Sequence, residues 1–189
     1  MFIQIETTPN PSTLKFLPGK TVLTDTTLQI NNREQAKASP LASSLFDIDG
    51  VKAVFLGHDF ISVSKEDGIA WEIIQADILS TIMNHDVAGK PLITTIHHAP
   101  SSGQVAEAED NALITQIKEL IETRVRPAVA QDGGDIIFRG FENGIVKLQL
   151  QGACSGCPSS TATLKNGIEN MLKYYVPEVE SVEAVEYDE

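Results

Sequence analysis

The chain contains only two cysteines, Cys154 and Cys157, and they stand close together in the stretch GACSGCPSS. Cysteine thiolates bind soft metals and attack disulfides, so this CxxC pair is the first candidate for chemistry. Structural zinc sites and most iron–sulfur clusters are held by four ligands, of which one chain offers two sulfurs. Either the missing ligands come from elsewhere, or the pair works as a dithiol.

A predicted hairpin and a predicted helix position the two cysteines. Asn143-Gly144 is a strong hairpin signal, and in the return strand Val146 and Leu148 alternate with polar residues. Pro158 follows the cysteines at a place suited to the first turn of a helix. The free N–H groups and the positive dipole end of that helix would face the loop, so we expect both thiols to be partly ionised and to point outward.

Residue chemistry alone leaves four interpretations of the pair open. The cysteines could be reduced and packed in the turn, since free cysteine behaves as a small hydrophobe. A thioredoxin-like dithiol shares the local order of strand, CxxC and helix, but its βαβ context is missing upstream. Zinc held within one chain needs histidines, yet His97 and His98 are adjacent, without His-x₃₋₅-His spacing, and His58 and His85 fall in the other half. Two chains around a twofold axis would supply four thiolates for a shared cluster, or equally for zinc.

The patterning predicts an α+β protein of two small domains, at 1–88 and 110–189, joined by a flexible linker at 89–109. The linker stretch HHAPSSGQVAEAED is small, polar and acidic, without periodicity. In the first domain we expect strands near residues 2–6 and 14–17, a rigid TPNP turn between them, and a helix with Ser39 as its cap. Two further strands flank Gly57-His58-Asp59, and a helix runs from Trp71, expected in the core or half exposed, to about His85.

The second domain is predicted in the order α-β-β-α-β. Its first helix is kinked or restarted at Pro127 and ends at QDGGD, where Asp132 to Asp135 are expected to shape a turn. A docking edge beside the cysteines is the alternative role for that turn. The final helix presents an apolar face before Pro177, and the last strand alternates valine with glutamate.

The charge of the chain excludes one class of partner. With 14 basic and 26 acidic residues, the formal net charge is −12, whereas nucleic-acid binding needs clustered Lys and Arg.

No apolar run is long enough to span a bilayer, so no membrane partner is expected. The first residues show neither a secretory nor an organelle leader, and the cysteine content is not that of a secreted disulfide framework. These features predict a cytoplasmic protein.

Two blocks of sequence carry a resemblance to a known family. RPAVAQDGGD, a hairpin and LQGACSGCPSSTATLKNGIENMLK together resemble the C-terminal domain of the NifU family. FIQIETTPNPSTLKFLPG with GVKAVFLGHDFISVSK resembles the N-terminal domain of Nfu proteins. The resemblance covers nearly the whole chain apart from the linker.

The resemblance implies an iron–sulfur cluster scaffold or carrier and no enzyme. Such proteins take a [4Fe–4S] cluster between two protomers and pass it to apo-proteins, so Cys154 and Cys157 would be its metal and cofactor ligands. The implied partners are apo iron–sulfur proteins as acceptors, upstream assembly proteins as donors, and a second copy in the loaded homodimer. Relatives with a transit peptide act in the mitochondrial matrix. No such peptide is recognised in this sequence, so the resemblance favours a bacterial cytoplasm. A CxxC dithiol oxidoreductase and a zinc-bridged interaction module remain the alternatives.

Overall fold

The computed structural model describes residues 2–24, 26–94, 108–155 and 158–185, which fall in two compact units, Met1–His98 and Ala99–Glu189. Both units are α+β, as the sequence predicted. Residues 95–107 of the predicted linker, with His97 and His98, lie outside the described residues. No helix among the described parts of the chain is long and apolar enough to cross a membrane.

The first unit is a five-stranded antiparallel sheet with helices packed on it. In chain order its elements are β1 Gln4–Thr7, β2 Thr13–Leu17, β3 Leu28–Ile30, α1 Arg33–Ala36, α2 Pro40–Phe46, β4 Val51–Leu56, β5 Ile61–Lys65 and α3 Trp71–Val87. The strands are arranged β1-β2-β5-β4-β3 across the sheet. Ile74, Ile78 and Ile82 follow each other at helical spacing and are buried against the sheet side chains, so α3 closes this core.

Local signals set the ends of several first-unit elements. The Ser39 hydroxyl accepts a hydrogen bond from the Ala42 N–H at 3.2 Å, and Pro40 occupies the first turn of α2, as predicted. Trp71 is half buried, and its indole N–H donates to the Pro11 carbonyl at 3.1 Å. The TPNP turn is thereby tied to the start of α3. The short elements β3 and α1 were not predicted, because three or four residues carry too little periodicity.

The second unit packs helices against a three-stranded sheet. Its elements are α4 Ala108–Leu120, a π-helical turn at Ile121–Val125, α5 Arg126–Gln131, β6 Gly134–Glu142, β7 Ile145–Gly152, α6 Pro158–Tyr175 and β8 Ser181–Ala184. Strands β6 and β7 form the predicted hairpin, in which Asn143 and Gly144 both have positive φ. Strand β8 pairs with β7 in parallel, so β7, α6 and β8 form a crossover unit. The sequence did not predict this pairing.

The π-helical turn marks the predicted interruption of the first long helix in this unit. Pro127 lacks an N–H and would crowd the carbonyl four residues earlier in a regular helix. The wider turn at Ile121–Val125 comes directly before it, and α5 then restarts with the proline in its first turn. The turn after α5, in which Gly133 has a φ of 81°, lies beside the cysteine loop.

Candidate functional site

Cys154 lies in the tight loop between β7 and α6 and is held there by backbone hydrogen bonds. Gly152 ends β7 with a φ of 64°, which turns the chain back toward the end of α5. The Ala153 N–H donates to the Gly133 carbonyl at 3.1 Å, and the Thr161 hydroxyl donates to the Cys154 carbonyl at 3.1 Å. The loop is thus fastened to the turn after α5 on one side and to α6 on the other.

Gly134 packs directly against the Cys154 sulfur. A Cβ atom at this glycine would lie 2.7 Å from the Cys154 Sγ and 2.5 Å from the Gln151 carbonyl oxygen. Real Cβ atoms do not approach other atoms so closely, so only glycine permits this packing. Gly134 also pairs with Gly152 across the hairpin, which sets the register that brings the sulfur here. The sequence pointed to Gly134 only as part of a turn.

The Cys154 thiol is buried and protonated. Its residue is 6% exposed, and burial raises its pKa to about 12, with further contributions from the negative charges of Asp132 and Asp135. The prediction that both thiols are partly ionised and point outward is therefore wrong for Cys154. The helix terminus alone suggested a lowered pKa, but desolvation and two carboxylates outweigh it.

An ion pair between the half-buried Arg126 and the buried Asp135 lies next to the thiol. Asp135 is 4% exposed and receives two hydrogen bonds from the Arg126 guanidinium, at 2.8 and 2.7 Å. The Asp135 carboxylate also accepts from the Ile136 N–H at 2.8 Å, and Glu122 binds the exposed side of Arg126. These hydrogen bonds, led by those of Asp135, raise the pKa of Arg126 above its usual range. Asp135 was expected in a turn, whereas Arg126 was not singled out as a site residue, although it is the first residue of the family motif RPAVAQDGGD.

Of the other candidate ligands, the described residues include only His58 and His85. Cys157 lies outside the described residues, as do His97 and His98. His58 and His85 belong to the first unit, where the His58 Nδ1 lies 2.9 Å from the Leu23 carbonyl oxygen. Within the described ranges, no three His, Cys, Asp or Glu side chains come together as a metal-binding group.

Comparison with known proteins places both units in one family. Residues 3–89 match the N-terminal domain of scaffold protein Nfu/NifU, and residues 117–183 match the NifU-like domain. The chain is 52% identical over its full length to the human NFU1 iron–sulfur cluster scaffold homolog, mitochondrial, of which it spans 74%. The chain belongs to the Nfu/NifU family of iron–sulfur cluster scaffold proteins. The resemblance inferred from the cysteine and glycine motifs is thereby confirmed.

Two further proteins show how far the similarity extends. The mitochondrial NFU1 scaffold homolog of Drosophila ananassae is 50% identical over 98% of this chain, which spans 64% of that relative. A solution structure of a NifU-like protein from Saccharomyces cerevisiae is 26% identical, covers 50% of this chain and 86% of its own, and has a TM-score of 0.46. The human and Drosophila relatives are thus longer than the chain, and both are named as mitochondrial proteins.

Proposed function

We propose that this chain carries a [4Fe–4S] cluster between two protomers and delivers it to apo-proteins. Cys154 and Cys157 of each protomer would supply the four thiolates. The observation that carries the proposal is the position of Cys154: the thiol sits in a short loop between a strand and a helix, in a chain of the scaffold family with only two cysteines. Family membership supports the scaffold role, and the cysteine count supports sharing.

The buried state of Cys154 supports a transferable cargo. A thiol must lose its proton to bind iron, so cluster loading would have to move or deprotonate a group that rests neutral in the core. That resting state competes with the cluster and would favour its release to an acceptor whose thiols are already ionised. Separation of the protomers would remove half of the ligands at once.

The charges around the loop point the same way. The negative charges of Asp132 and Asp135 disfavour ionisation of the Cys154 thiol, because they raise its pKa. A cluster with four thiolates is itself anionic, so these carboxylates would weaken its binding, while Arg126 neutralises Asp135 in part. We therefore expect a moderate affinity for the cargo, which suits a carrier better than a permanent electron-transfer site.

The dithiol oxidoreductase is the less favoured alternative. Redox-active CxxC motifs use a cysteine whose pKa lies well below the ordinary value, because the thiolate is the nucleophile. The pKa of Cys154 is shifted in the opposite direction. We accordingly propose no catalytic residue and no turnover of a small molecule. A zinc-bridged dimer would use the same four thiolates. The reconstitution experiment below distinguishes it from a cluster carrier.

The proposed partners follow from the carrier role. Apo iron–sulfur proteins would be the acceptors, assembly proteins the donors, and a second copy of the chain the partner in the loaded state. Bacterial cytoplasm stays our predicted compartment, alongside relatives that are named as mitochondrial. Transfer assays with the full chain and with a variant that lacks residues 1–98 would show whether the first unit selects the acceptor.

Anaerobic reconstitution tests the proposal. The purified chain is incubated with iron, sulfide and reductant, and its absorbance, its iron and sulfide content and its molar mass are measured. We expect a coloured dimer with about four irons and four sulfides per two chains. Cys154→Ala and Cys157→Ala should each abolish the colour and the dimer, whereas Asn170→Ala, at an exposed position of α6, should leave both unchanged.

Other outcomes would reject the proposal. A colourless chain that binds only zinc would identify the interaction module. A cluster that survives the loss of either cysteine would remove the pair from the ligand set. Rapid reduction of insulin by the reduced, cluster-free chain would establish the dithiol oxidoreductase.

A further inference from the structure

Helix α3 carries apolar side chains on both of its faces. Ile74, Ile78 and Ile82 lie on the inner face and are buried in the first core. On the outer face, Met83 is 40% exposed and Val87 is 86% exposed. A helix with one face on a core usually presents polar side chains to solvent, so an apolar outer face favours a contact with another molecule. The carrier role does not explain this face.

The exposed positions of this face follow each other at the spacing of a helix contact seam. Ala76, Ser80, Met83 and Val87 are separated by four, three and four residues, and all four are exposed. This alternation of three and four keeps side chains in line along one side of a helix. We call these four residues the outer stripe of α3. Its two small side chains lie toward the start of the helix and its two large ones toward the end.

The outer stripe is complementary to itself when two helices run antiparallel. If Ala76 lies level with the partner's Val87, then Ser80 lies level with the partner's Met83, because both pairs have the same midpoint. A twofold axis repeats the two pairings on the other side of that midpoint. Each large side chain then faces a small one, so the two helices can interdigitate at close range.

The charges at the two ends of α3 fit the same register. Glu72 lies in the first turn of α3, Lys90 follows its C-terminal end, and both are exposed. At a rise of about 1.5 Å per residue, this register places Glu72 within about one helical turn of the partner's Lys90. The twofold axis creates this pair of opposite charges twice.

The flanks of the outer stripe are also compatible with this register. Asp77 and Asn84 are exposed on one flank, and the partner's Asn84 comes within about one turn of Asp77, where its amide can donate to the carboxylate. Asp86 lies on the opposite flank, where a salt bridge with Lys20 offsets its charge. Size, charge and hydrogen-bonding capacity therefore agree on one alignment.

We propose that the outer stripe of α3 binds the outer stripe of a second copy, antiparallel around a twofold axis and without a cluster. The complementarity of the stripe to itself favours a second copy over an unrelated protein. One pair of helices buries less surface than a standard interface, so we expect the dimer to form at roughly 0.1–1 mM chain. Reconstitution at roughly 10 µM then measures only the cluster-bridged dimer.

A consequence for the cargo rests on the proposed function. Two chains that are already joined at α3 carry two cysteine loops in one assembly. The sharing of a cluster then needs no second encounter between chains, which raises the effective concentration of the thiolates.

Sedimentation equilibrium of the reduced, metal-free full chain tests the contact. The molar mass should rise from monomer toward dimer between roughly 10 µM and 1 mM. Met83→Glu places a carboxylate in the outer stripe and should weaken dimerisation by about tenfold or more. Phe2→Glu is the matched control, because it makes the same charge change at an 85% exposed apolar residue outside α3, and it should dimerise like the parent chain.

A reciprocal charge exchange tests the pairing of the helix ends. Glu72→Lys and Lys90→Glu should each weaken dimerisation several-fold, since an exposed pair contributes up to about fivefold and the dimer holds two. The chain with both changes should return to within about twofold of the parent affinity, because opposite charges face each other again. The circular dichroism spectrum is measured for each variant to show that α3 is retained.

Disulfide trapping tests the register. In a full chain with both native cysteines changed to serine, Ala76→Cys and Val87→Cys together should form intermolecular disulfides under mild oxidation. Either change alone should crosslink much more slowly, because equivalent positions of the antiparallel helices lie about 16 Å apart along the axis. Disulfide-bonded Cα atoms lie within about 7 Å of each other, so the same spacing also prevents a bond within one helix. The two single changes thus control for random collision.

Four results would overturn the proposal. A chain that stays monomeric at about 1 mM leaves the outer stripe to another protein. Equal dimerisation of Met83→Glu and Phe2→Glu places the contact elsewhere. Failure of the charge exchange to restore affinity, or crosslinking of the single changes as fast as of the pair, rejects the antiparallel register. All measurements use cluster-free chain, so their failure and the failure of cluster reconstitution are separate results.

Discussion

The hydrophobic cluster of the first unit consists of hydrocarbon side chains, whereas that of the second includes the Cys154 thiol and lies beside the Arg126–Asp135 ion pair. The first core can be altered without touching a reactive group. In the second unit, the group proposed to hold the cargo is also a packing element. Stability and cluster loading should therefore be separable in one unit and coupled in the other.

The chain carries built-in reporters for both units. Its single tryptophan, Trp71, lies in the first unit, and its three tyrosines lie at Tyr174, Tyr175 and Tyr187 in the second. Tryptophan fluorescence during urea unfolding can thus follow the first unit, and the difference absorbance of the tyrosines, after subtraction of the tryptophan contribution, can follow the second.

The largest expected effect concerns the reactivity of Cys154. Because its pKa lies at about 12 instead of 9.0, its thiolate fraction at neutral pH is roughly a thousandfold lower than that of an ordinary thiol. In the cluster-free Cys157→Ser variant, iodoacetamide should modify Cys154 at least that much more slowly in the folded than in the urea-unfolded chain. The rate should rise about tenfold per pH unit and level off only near pH 12. Equal rates in both states at pH 7.5 would show that the thiol is not buried.

Ile78→Ala should destabilise the first unit alone. Ile78 is fully buried in α3, and its truncation leaves a cavity that costs about 3 kcal/mol of unfolding free energy. The tryptophan transition should move to lower urea, while the tyrosine transition and the reconstituted cluster content stay at parent values. The control Ile73→Ala, at a 68% exposed position of the same helix, should change neither transition. Loss of cluster in Ile78→Ala would mean that the units are coupled.

Asp135→Ala should destabilise the second unit by about 2–3 kcal/mol. The change leaves Arg126 without its bidentate partner and the Ile136 N–H without an acceptor. The tyrosine transition should shift and the tryptophan transition should not. Glu122→Ala removes only the exposed partner of Arg126 and should cost less than 1 kcal/mol. Equal losses of unfolding free energy in the two variants would show that the Arg126–Asp135 pair stabilises the unit no more than the exposed Arg126–Glu122 pair does.

Gly134→Ala should cost about 1–2 kcal/mol and, in addition, reduce cluster loading. The new methyl group would overlap the Cys154 sulfur and the Gln151 carbonyl, so the loop must shift. Gly140→Ala is the matched control, because it lies on the same strand with no atom within 4 Å of the added Cβ. Reconstituted iron content and the tyrosine transition measure both effects. Normal loading with lowered stability would show that Cys154 does not need this packing to reach the cluster.

Much of the fold could be predicted from local patterns. The Ser39 cap, the Asn143-Gly144 turn and the interruption at Pro127 each depend on residues a few positions apart. The parallel pairing of β8 with β7 could not be read in the same way, since alternation specifies which face is buried and not which strand lies alongside.

The site was predicted less completely than the fold. The family motifs led to Cys154 and Cys157 as a pair, but the surroundings of the Cys154 thiol depend on groups from two other segments. Gly134 and Asp135 follow α5, and Thr161 belongs to α6. Among the influences on the thiol pKa, the sequence analysis used only the start of the following helix. That feature predicted a lowered pKa, whereas the pKa of Cys154 is raised.

The parallel pairing of β8 also has a consequence for synthesis on the ribosome. Strand β8 ends at Ala184, about 30 residues after Cys154, so the sheet of the second unit cannot close until that segment has been made. At roughly 5–20 residues per second, the cysteine loop waits a few seconds beside an incomplete sheet. During that interval the β6–β7 hairpin, whose Gly134 packs against Cys154, is already complete, but the third strand and the core residue Val182 are still missing.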